Sequence, residues 1–234
     1  MRVDQLILRR MCAALLCAVL FSTVHVAAQD KSAIAASIKD SNAFILNQRK
    51  STAYRDSVCK SAADYENSLS KHCQDISLDF ESVDVRDTLL ALVELNDKGI
   101  AVAGAWKEGV PGTACNIKRR YNVQVEETPH GERFTAMFSG EAEGDFELQV
   151  DALKNIETNF MVLKLMPKKS CHLAVIDTHL VGAPSKFLDN GIMTPWKESW
   201  EVDACGKVYI VPLVYTPDST GTSISVGTSD IHPR

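Results

Sequence analysis

Trp106-Lys107-Glu108, followed after five intervening residues by Ala114-Cys115, and Trp196-Lys197-Glu198, followed after five intervening residues by Ala204-Cys205, state one pattern twice. The chain has three tryptophans, and two of them align. The correspondence runs outward in both directions. A glycine stands sixteen residues past each cysteine (Gly131, Gly221), preceded by Thr128-Pro129 in one copy and Thr216-Pro217 in the other. Upstream, Lys71-His72-Cys73 answers Lys169-Ser170-Cys171, with an aspartate six residues later in each (Asp79, Asp177). Self-similarity at a fixed spacing is the mark of duplicated architecture, here a unit of roughly 90 to 100 residues.

Each unit opens on a helical pattern. Tyr54, Val58, Ala62, Tyr65 and Leu69 lie on one face of a helix, with Ser51 or Thr52 as its cap. Phe146, Val150, Leu153, Ile156, Phe160 and Leu163 give the second helix, opened near Gly144-Asp145 and stopped before Pro167. Strand patterns follow: Ile76–Val83, Thr88–Leu95, Ile100–Trp106, Tyr121–Val125 and Arg133–Phe138 in the first copy, and His172–Val181, Trp196–Ala204, Val208–Tyr215 and Thr222–Val226 in the second. Short turns join them, so the sheets are expected to be antiparallel. The fold class is therefore α+β: two tandem repeats, each an amphipathic helix on an antiparallel sheet of about four strands. The repeats span 51–140 and 141–234, after a helix or linker over 29–50. The acidic stretch Gly140–Asp145 reads as a solvated linker, and the tail from Thr228 as frayed.

Residues 1–28 have a basic start (Arg2, Arg9, Arg10), an apolar run from Met11 to Phe21, and Val26-Ala27-Ala28 before Gln29. That order describes a cleaved secretory signal, and the apolar run is too short to span a bilayer. Cleavage leaves 22 basic and 29 acidic residues, a net charge of −7. Such a chain carries no basic stripe for phosphates, which excludes nucleic acid as an expected partner. The expected location is periplasmic or secreted, with no transmembrane segment after cleavage.

Five cysteines remain, and an oxidising compartment favours bridges over metal. Equivalent pairing in two like copies gives Cys73–Cys115 and Cys171–Cys205, each worth about 3 to 4 kcal/mol by chain entropy. Cys59 is left over and is expected to be a buried structural thiol.

No nucleophile elbow, zinc-protease motif or phosphate loop occurs, so no catalytic, cofactor-binding or metal residue is assigned. Trp200, Trp196 and Trp106 are a possible binding surface, Trp200 above all, because Val110 stands at its place in copy one. Packing of Trp106 and Trp196 into their own sheets is the simpler reading of a residue present in both copies. His172, Asp177 and His179 lie on one expected strand, with Asp177 and His179 on the same face, where they could serve as an acid–base pair or part of a metal site; a polar strand edge is the plainer reading.

The stretch Trp196-Lys197-Glu198-Ser199-Trp200-Glu201-Val202-Asp203-Ala204-Cys205-Gly206-Lys207, followed by Tyr215-Thr216-Pro217-Asp218-Ser219-Thr220-Gly221-Thr222, resembles a pattern of small exported bacterial proteins of uncharacterised function. The resemblance covers about 30 residues and implies export, with no activity attached. Copy one has Asn116 in place of Gly206, from which a different turn is expected there. The expected function is an exported binding or envelope-associated module for an envelope protein or small ligand. The alternatives are a hydrolase-like or metal-dependent enzyme using Asp177 and His179, and a structural protein of the envelope.

Overall fold

A computed structural model describes residues 36–69, 73–83, 89–166, 173–186, 188 and 193–234. The expected signal peptide, Cys171 and His172 lie outside the described residues. The chain divides into two units, residues 1–47 and 48–234. Residues 36–47 of the first unit are helical (α1).

The second unit holds two sheets laid out alike. In the first half, helix α2 (Thr52–Ser68) precedes strands β1 (Ile76–Leu78), β2 (Leu89–Leu95), β3 (Ala101–Ala114), β4 (Ile117–Thr128) and β5 (Gly131–Ala136). In the second, α3 (Phe146–Val162) precedes β6 (Leu173–Leu180), β7 (Trp196–Ala204), β8 (Lys207–Pro217), β9 (Thr222–Val226) and β10 (His232–Pro233). All strand pairs are antiparallel, and each sheet has five strands, where about four were expected. The fifth strand of the second sheet is the tail: β10 pairs β8, and Arg234 bonds both Val208 and Glu201, so the tail is held and not frayed.

The aligned motifs occupy like positions. β3 and β7 each begin their Trp-x-Glu on the face beneath the helix and end in a two-residue hairpin, flanked by Ala114↔Ile117 and Ala204↔Lys207. Both central residues have positive φ in each case: 47° and 69° at Cys115 and Asn116, 59° and 84° at Cys205 and Gly206. These are matching type I′ turns. The different turn expected in copy one is corrected, because asparagine tolerates the left-handed region that glycine adopts freely. Cys73 is bonded to Cys115. Cys205 is also disulfide-bonded, and its expected partner lies outside the described residues.

β3 runs eight residues past the expected end at Trp106, through Gly109, Pro111 and Gly112. Pro111 is tolerated there because its carbonyl accepts from Asp79 N–H on the β1 side. In an antiparallel strand the nitrogen of a residue faces the same way as its carbonyl, so the β3–β4 ladder loses no donor.

α2 buries Tyr54, Val58, Ala62, Tyr65 and Leu69, the face its spacing predicts, and Ser51 caps it by accepting from Tyr54 N–H. Cys59 points away from that face and is an exposed free thiol, which corrects the buried position expected for it. α3 is turned from its expected face. It buries Gln149, Ala152, Ile156 and Phe160, while Leu163 is exposed. Gln149 is drawn inward because its amide serves two backbone groups: Oε1 accepts from Phe138 N–H and Nε2 donates to the Gly144 carbonyl.

Candidate functional site

The three indoles are buried: Trp106 is 0%, Trp196 4% and Trp200 0% exposed. The surface expected at Trp106, Trp196 and Trp200 is therefore corrected to core, because alternate strand residues share the face that the helix covers. On that face each Trp-x-Glu places a carboxylate two residues from an indole. Trp106 Nε1 donates to Glu108 Oε1 at 3.1 Å, and Trp196 Nε1 to Glu198 Oε1 at 2.9 Å. Glu198 also accepts from Trp200 Nε1 at 2.7 Å and from Glu143 N–H at 2.9 Å. Glu108 is paired with Arg49 Nε at 2.9 Å. Both carboxylates are fully buried acceptors, the state in which an ionised group is tolerated inside a protein. Burial first, and Glu198 next, push the Tyr215 phenol above its ordinary value; Tyr215 stacks on Trp196 at 4.7 Å. Trp200 has its own reason to exist in one copy alone, since Phe138 packs edge-on against it at 5.4 Å.

Phe138 stands two residues before Gly140–Asp145, the stretch expected to be a solvated linker, and here the structure overturns the sequence reading. Residues 138–145 form a strap held between the two halves. Gly140 N–H donates to the Arg120 carbonyl of the first half, and Glu141 N–H to the Thr178 carbonyl of the second. Thr178 Oγ1 donates to the Ser139 carbonyl and accepts from Ala142 N–H. Asn122 Nδ2 donates to the carbonyls of Phe138 and Gly140. Lys107 Nζ donates to those of Ala142 and Glu143 at 2.8 and 3.0 Å. Burial, more than any neighbour, lowers the Lys107 ammonium from its ordinary value, against the opposing pull of Glu198 and Glu143. The acidic residues that suggest solvation alternate with glycine and alanine whose backbone is buried, and every buried peptide group must find a partner.

A second lock joins the halves beside the strap. Between Val175 and Asp177 the β6–β7 register slips, as at a β-bulge. The Tyr65 hydroxyl lies 2.9 and 2.8 Å from the carbonyls of Val175 and Ile176, and Arg119 Nη1 donates to Ile176 at 2.9 Å. Arg119 is held in turn by Glu66 at 2.7 Å, whose Oε1 also accepts from the Tyr121 hydroxyl.

Asp177 and His179 do share a face, joined by Glu201 across the ladder. His179 Nε2 stands 3.9 Å from Asp177 Oδ2 and 3.6 Å from Glu201 Oε1, beyond the range in which a proton is passed directly. Arg234 occupies the other Glu201 oxygen. Burial raises the Asp177 carboxyl above its usual range, and the His179 charge opposes that rise. The trio borders a shallow depression of about 240 Å³ that Lys118 and Arg119 line from the other half. Among the described residues, no three metal-ligating side chains gather in a way that would hold an ion.

A further acidic pair has a pH signature. Glu127 and Glu132 face each other across β4 and β5, and burial first, then Glu132, lift the Glu127 carboxyl to about 7 from an ordinary 4.5. The folded state therefore holds a proton that the unfolded chain releases. The associated stability is fully present below pH 4.5 and is lost as pH rises through about 7. Glu127→Gln is expected to leave urea stability unchanged in acid and raise it above neutrality by about 1–3 kcal/mol. Urea midpoints across that pH range would check it.

The largest uncovered apolar feature is the β2–β3 arm. Leu90, Ala91, Leu92, Glu94 and Leu95 are all exposed. Glu94 and Leu95 pair with Ala103 and Ala101, whereas the β3–β4 ladder begins only at Gly104. Beyond that point the described strands of the arm are β2 and β3, joined by a turn in which Gly99, at φ 72°, donates to the Asn96 carbonyl. Leu90, Leu92, Leu95 and Ile100 expose 44%, 38%, 46% and 57% of their surface. The signal was present in the sequence as Leu89-Leu90-Ala91-Leu92-Val93-Glu94-Leu95, an unalternating apolar run of the kind that belongs to a strand covered on both faces.

No protein-family model, characterised protein or solved structure matches this chain.

Proposed function

We propose that this protein is an exported binding module that takes a protein partner on the exposed apolar side chains of the β2–β3 arm. The observation that carries the reading is the apolar exposure of that arm. Leu90, Leu92, Leu95 and Ile100 together make an exposed apolar patch of the kind that marks a protein interaction site. Export is supported by the order of basic, apolar and small residues over 1–28 and by the cystine chemistry; no described helix is long and apolar enough to cross a membrane. The alike sheets, matching hairpins and paired Trp-x-Glu carboxylates support two copies of one helix-on-sheet unit, the second closed by Cys171–Cys205. Peptide mapping without reduction tests that bridge directly.

A photoreactive residue placed at Leu92 in the exporting cell is expected to yield a protein adduct, and Leu92→Lys with Ile100→Lys to abolish capture without moving the unfolding midpoint. A folded, exported chain with no adduct would remove the reading. The convergence of Asp177, His179 and Glu201 beside the shallow depression favours the hydrolase-like alternative, and an activity lost in Asp177→Asn would replace the first reading with it.

A further inference from the structure

We infer that the shallow depression between β4, β6 and the strap binds a free amino acid in its zwitterionic form, with Arg120 and Lys118 taking the carboxylate and Asp177 and Glu141 the ammonium. The site lies at the opposite end of β3 from the arm, and stands or falls separately from it.

Three observations carry this assignment. First, Arg120 is an arginine without a counter-ion. Its Nε is shielded from water and no hydrogen bond satisfies it, and among the described residues no carboxylate stands within ion-pair distance of its guanidinium. A half-buried charge in that state is costly unless a ligand completes it. Space for the guanidinium is built into the neighbouring strand. A β-carbon on Gly109 would collide with Arg120 Nε, Nη2 and Cζ, and Gly109 has no positive φ that would itself call for glycine. Second, the arrangement belongs to one half alone. With the hairpins matched residue by residue from Cys115 and Cys205, Lys118-Arg119-Arg120 fall on Val208-Tyr209-Ile210, and Gly109 falls on Ser199. The layout that both halves share therefore needs neither the basic run nor the glycine. Third, charges of both signs face the same space without pairing. Arg120 and Lys118 line it from β4, Asp177 from β6 and Glu141 from the strap, yet no ion pair joins either cation to either carboxylate. Asp177 Oδ1 accepts from Thr178 N–H, and Oδ2 has His179 near it at 3.9 Å, too far for a hydrogen bond. An inorganic anion drawn to Arg120 would be repelled by Asp177 and Glu141, whereas a molecule with a carboxylate at one end and an ammonium at the other meets both walls with opposite charge. The volume of about 240 Å³ lies below the range of about 300–1,000 Å³ that drug-sized ligands occupy, which limits the ligand to a small molecule.

The test is thermal unfolding of the exported protein, purified with its disulfides intact, in the presence of each standard amino acid in turn, followed by calorimetric titration of those that raise the midpoint. At least one is expected to raise it, as a ligand of the folded state must. Its N-acetyl and amide derivatives, each lacking one of the two charges, should bind at least about tenfold more weakly. Arg120→Met should lower the affinity at least about tenfold while the unfolding midpoint without ligand stays at the wild-type value. Lys118→Ala, at an exposed side chain, should also weaken binding and serves if Arg120→Met does not fold. Gly109→Ala should weaken binding too, because the guanidinium at the end of its flexible chain yields to the new β-carbon before the backbone does. A midpoint that no amino acid raises overturns the inference. So does equal binding of either single-charge derivative, which would make this a site for an ion of one sign. Binding undiminished in Arg120→Met and Lys118→Ala would place the ligand elsewhere and overturn it as well.

Discussion

Glu198→Ala is expected to cost about 3–5 kcal/mol of folding stability, a large part of what a domain of this kind possesses. The carboxylate accepts from the indoles of Trp196 and Trp200 and from Glu143 N–H, all within 2.9 Å. Removing it strands three donors in a dry core, and each unsatisfied donor costs about 1–3 kcal/mol. It also leaves a cavity beneath α3, where the neighbours are large and cannot close in. Glu198→Gln is expected to fall between wild type and alanine: one amide oxygen still accepts, while the amide nitrogen turns a donor toward an indole donor. Lys197, the intervening residue, is exposed, so Lys197→Ala should change stability by less than about 0.5 kcal/mol. Urea unfolding of the three variants with disulfides intact checks the order. A loss in Glu198→Ala no larger than in Lys197→Ala would refute the role assigned to the buried carboxylate.

Gly140→Ala tests the strap in a way that separates conformation from contact. Gly140 has φ 105°, and a β-carbon there would collide with the Thr178 carbonyl oxygen and Asp177 Oδ1. Gly131 has almost the same φ, 109°, but nothing lies within 4 Å of the place its β-carbon would take. Gly131→Ala should therefore show the backbone penalty alone, about 1–2 kcal/mol. Gly140→Ala should lose about 2 kcal/mol more, because the strap must lift from Thr178 and give up the bonds it makes there. The two halves meet through the strap and through the Tyr65 and Arg119 contacts to the irregularity in β6, so a lifted strap should also lower the cooperativity of unfolding, read as a smaller dependence on urea. Equal losses in the two variants would mean that the strap does not bear on Thr178 as described.

These expectations bear on function through rigidity. The strap and the Tyr65–Arg119 lock fix the second half against the first, and the cystine Cys73–Cys115 ties the start of β1 to the hairpin at the end of β3. The arm leaves this framework at Gly104, where a β-carbon would press on Val93. A docking ribbon on a rigid base loses less conformational freedom when it binds than one on a loose base, which is the physical advantage of preorganisation.

Much of this was legible in the chain. The buried face of α2, a cap at Ser51 or Thr52 and the cystine joining Cys73 to Cys115 follow from local spacing and from the duplication, and the structure chose Ser51. Strand β3 was read too short because Gly109, Pro111 and Gly112 look like loop residues. Their tolerance depends on which neighbour each backbone group faces, and that is not written in their order. Cys59 was misplaced because it sits one position from the apolar row of α2, and a shift of one residue turns a helical side chain by about 100°.

What the sequence alone determined is therefore what depends on short spacing and on the duplication: two helices, antiparallel strands after each of them, and the pairing of Cys73 with Cys115. Only the tertiary structure decided that Glu198 lies in the middle of the core, that the backbone of Gly140–Gly144 is held between the halves, and that Leu90, Leu92 and Leu95 stay exposed. Burial is set by what packs against a segment from far along the chain, as Thr178 does against Gly140 and Tyr65 against Val175, and a residue's own neighbours in sequence carry no record of it.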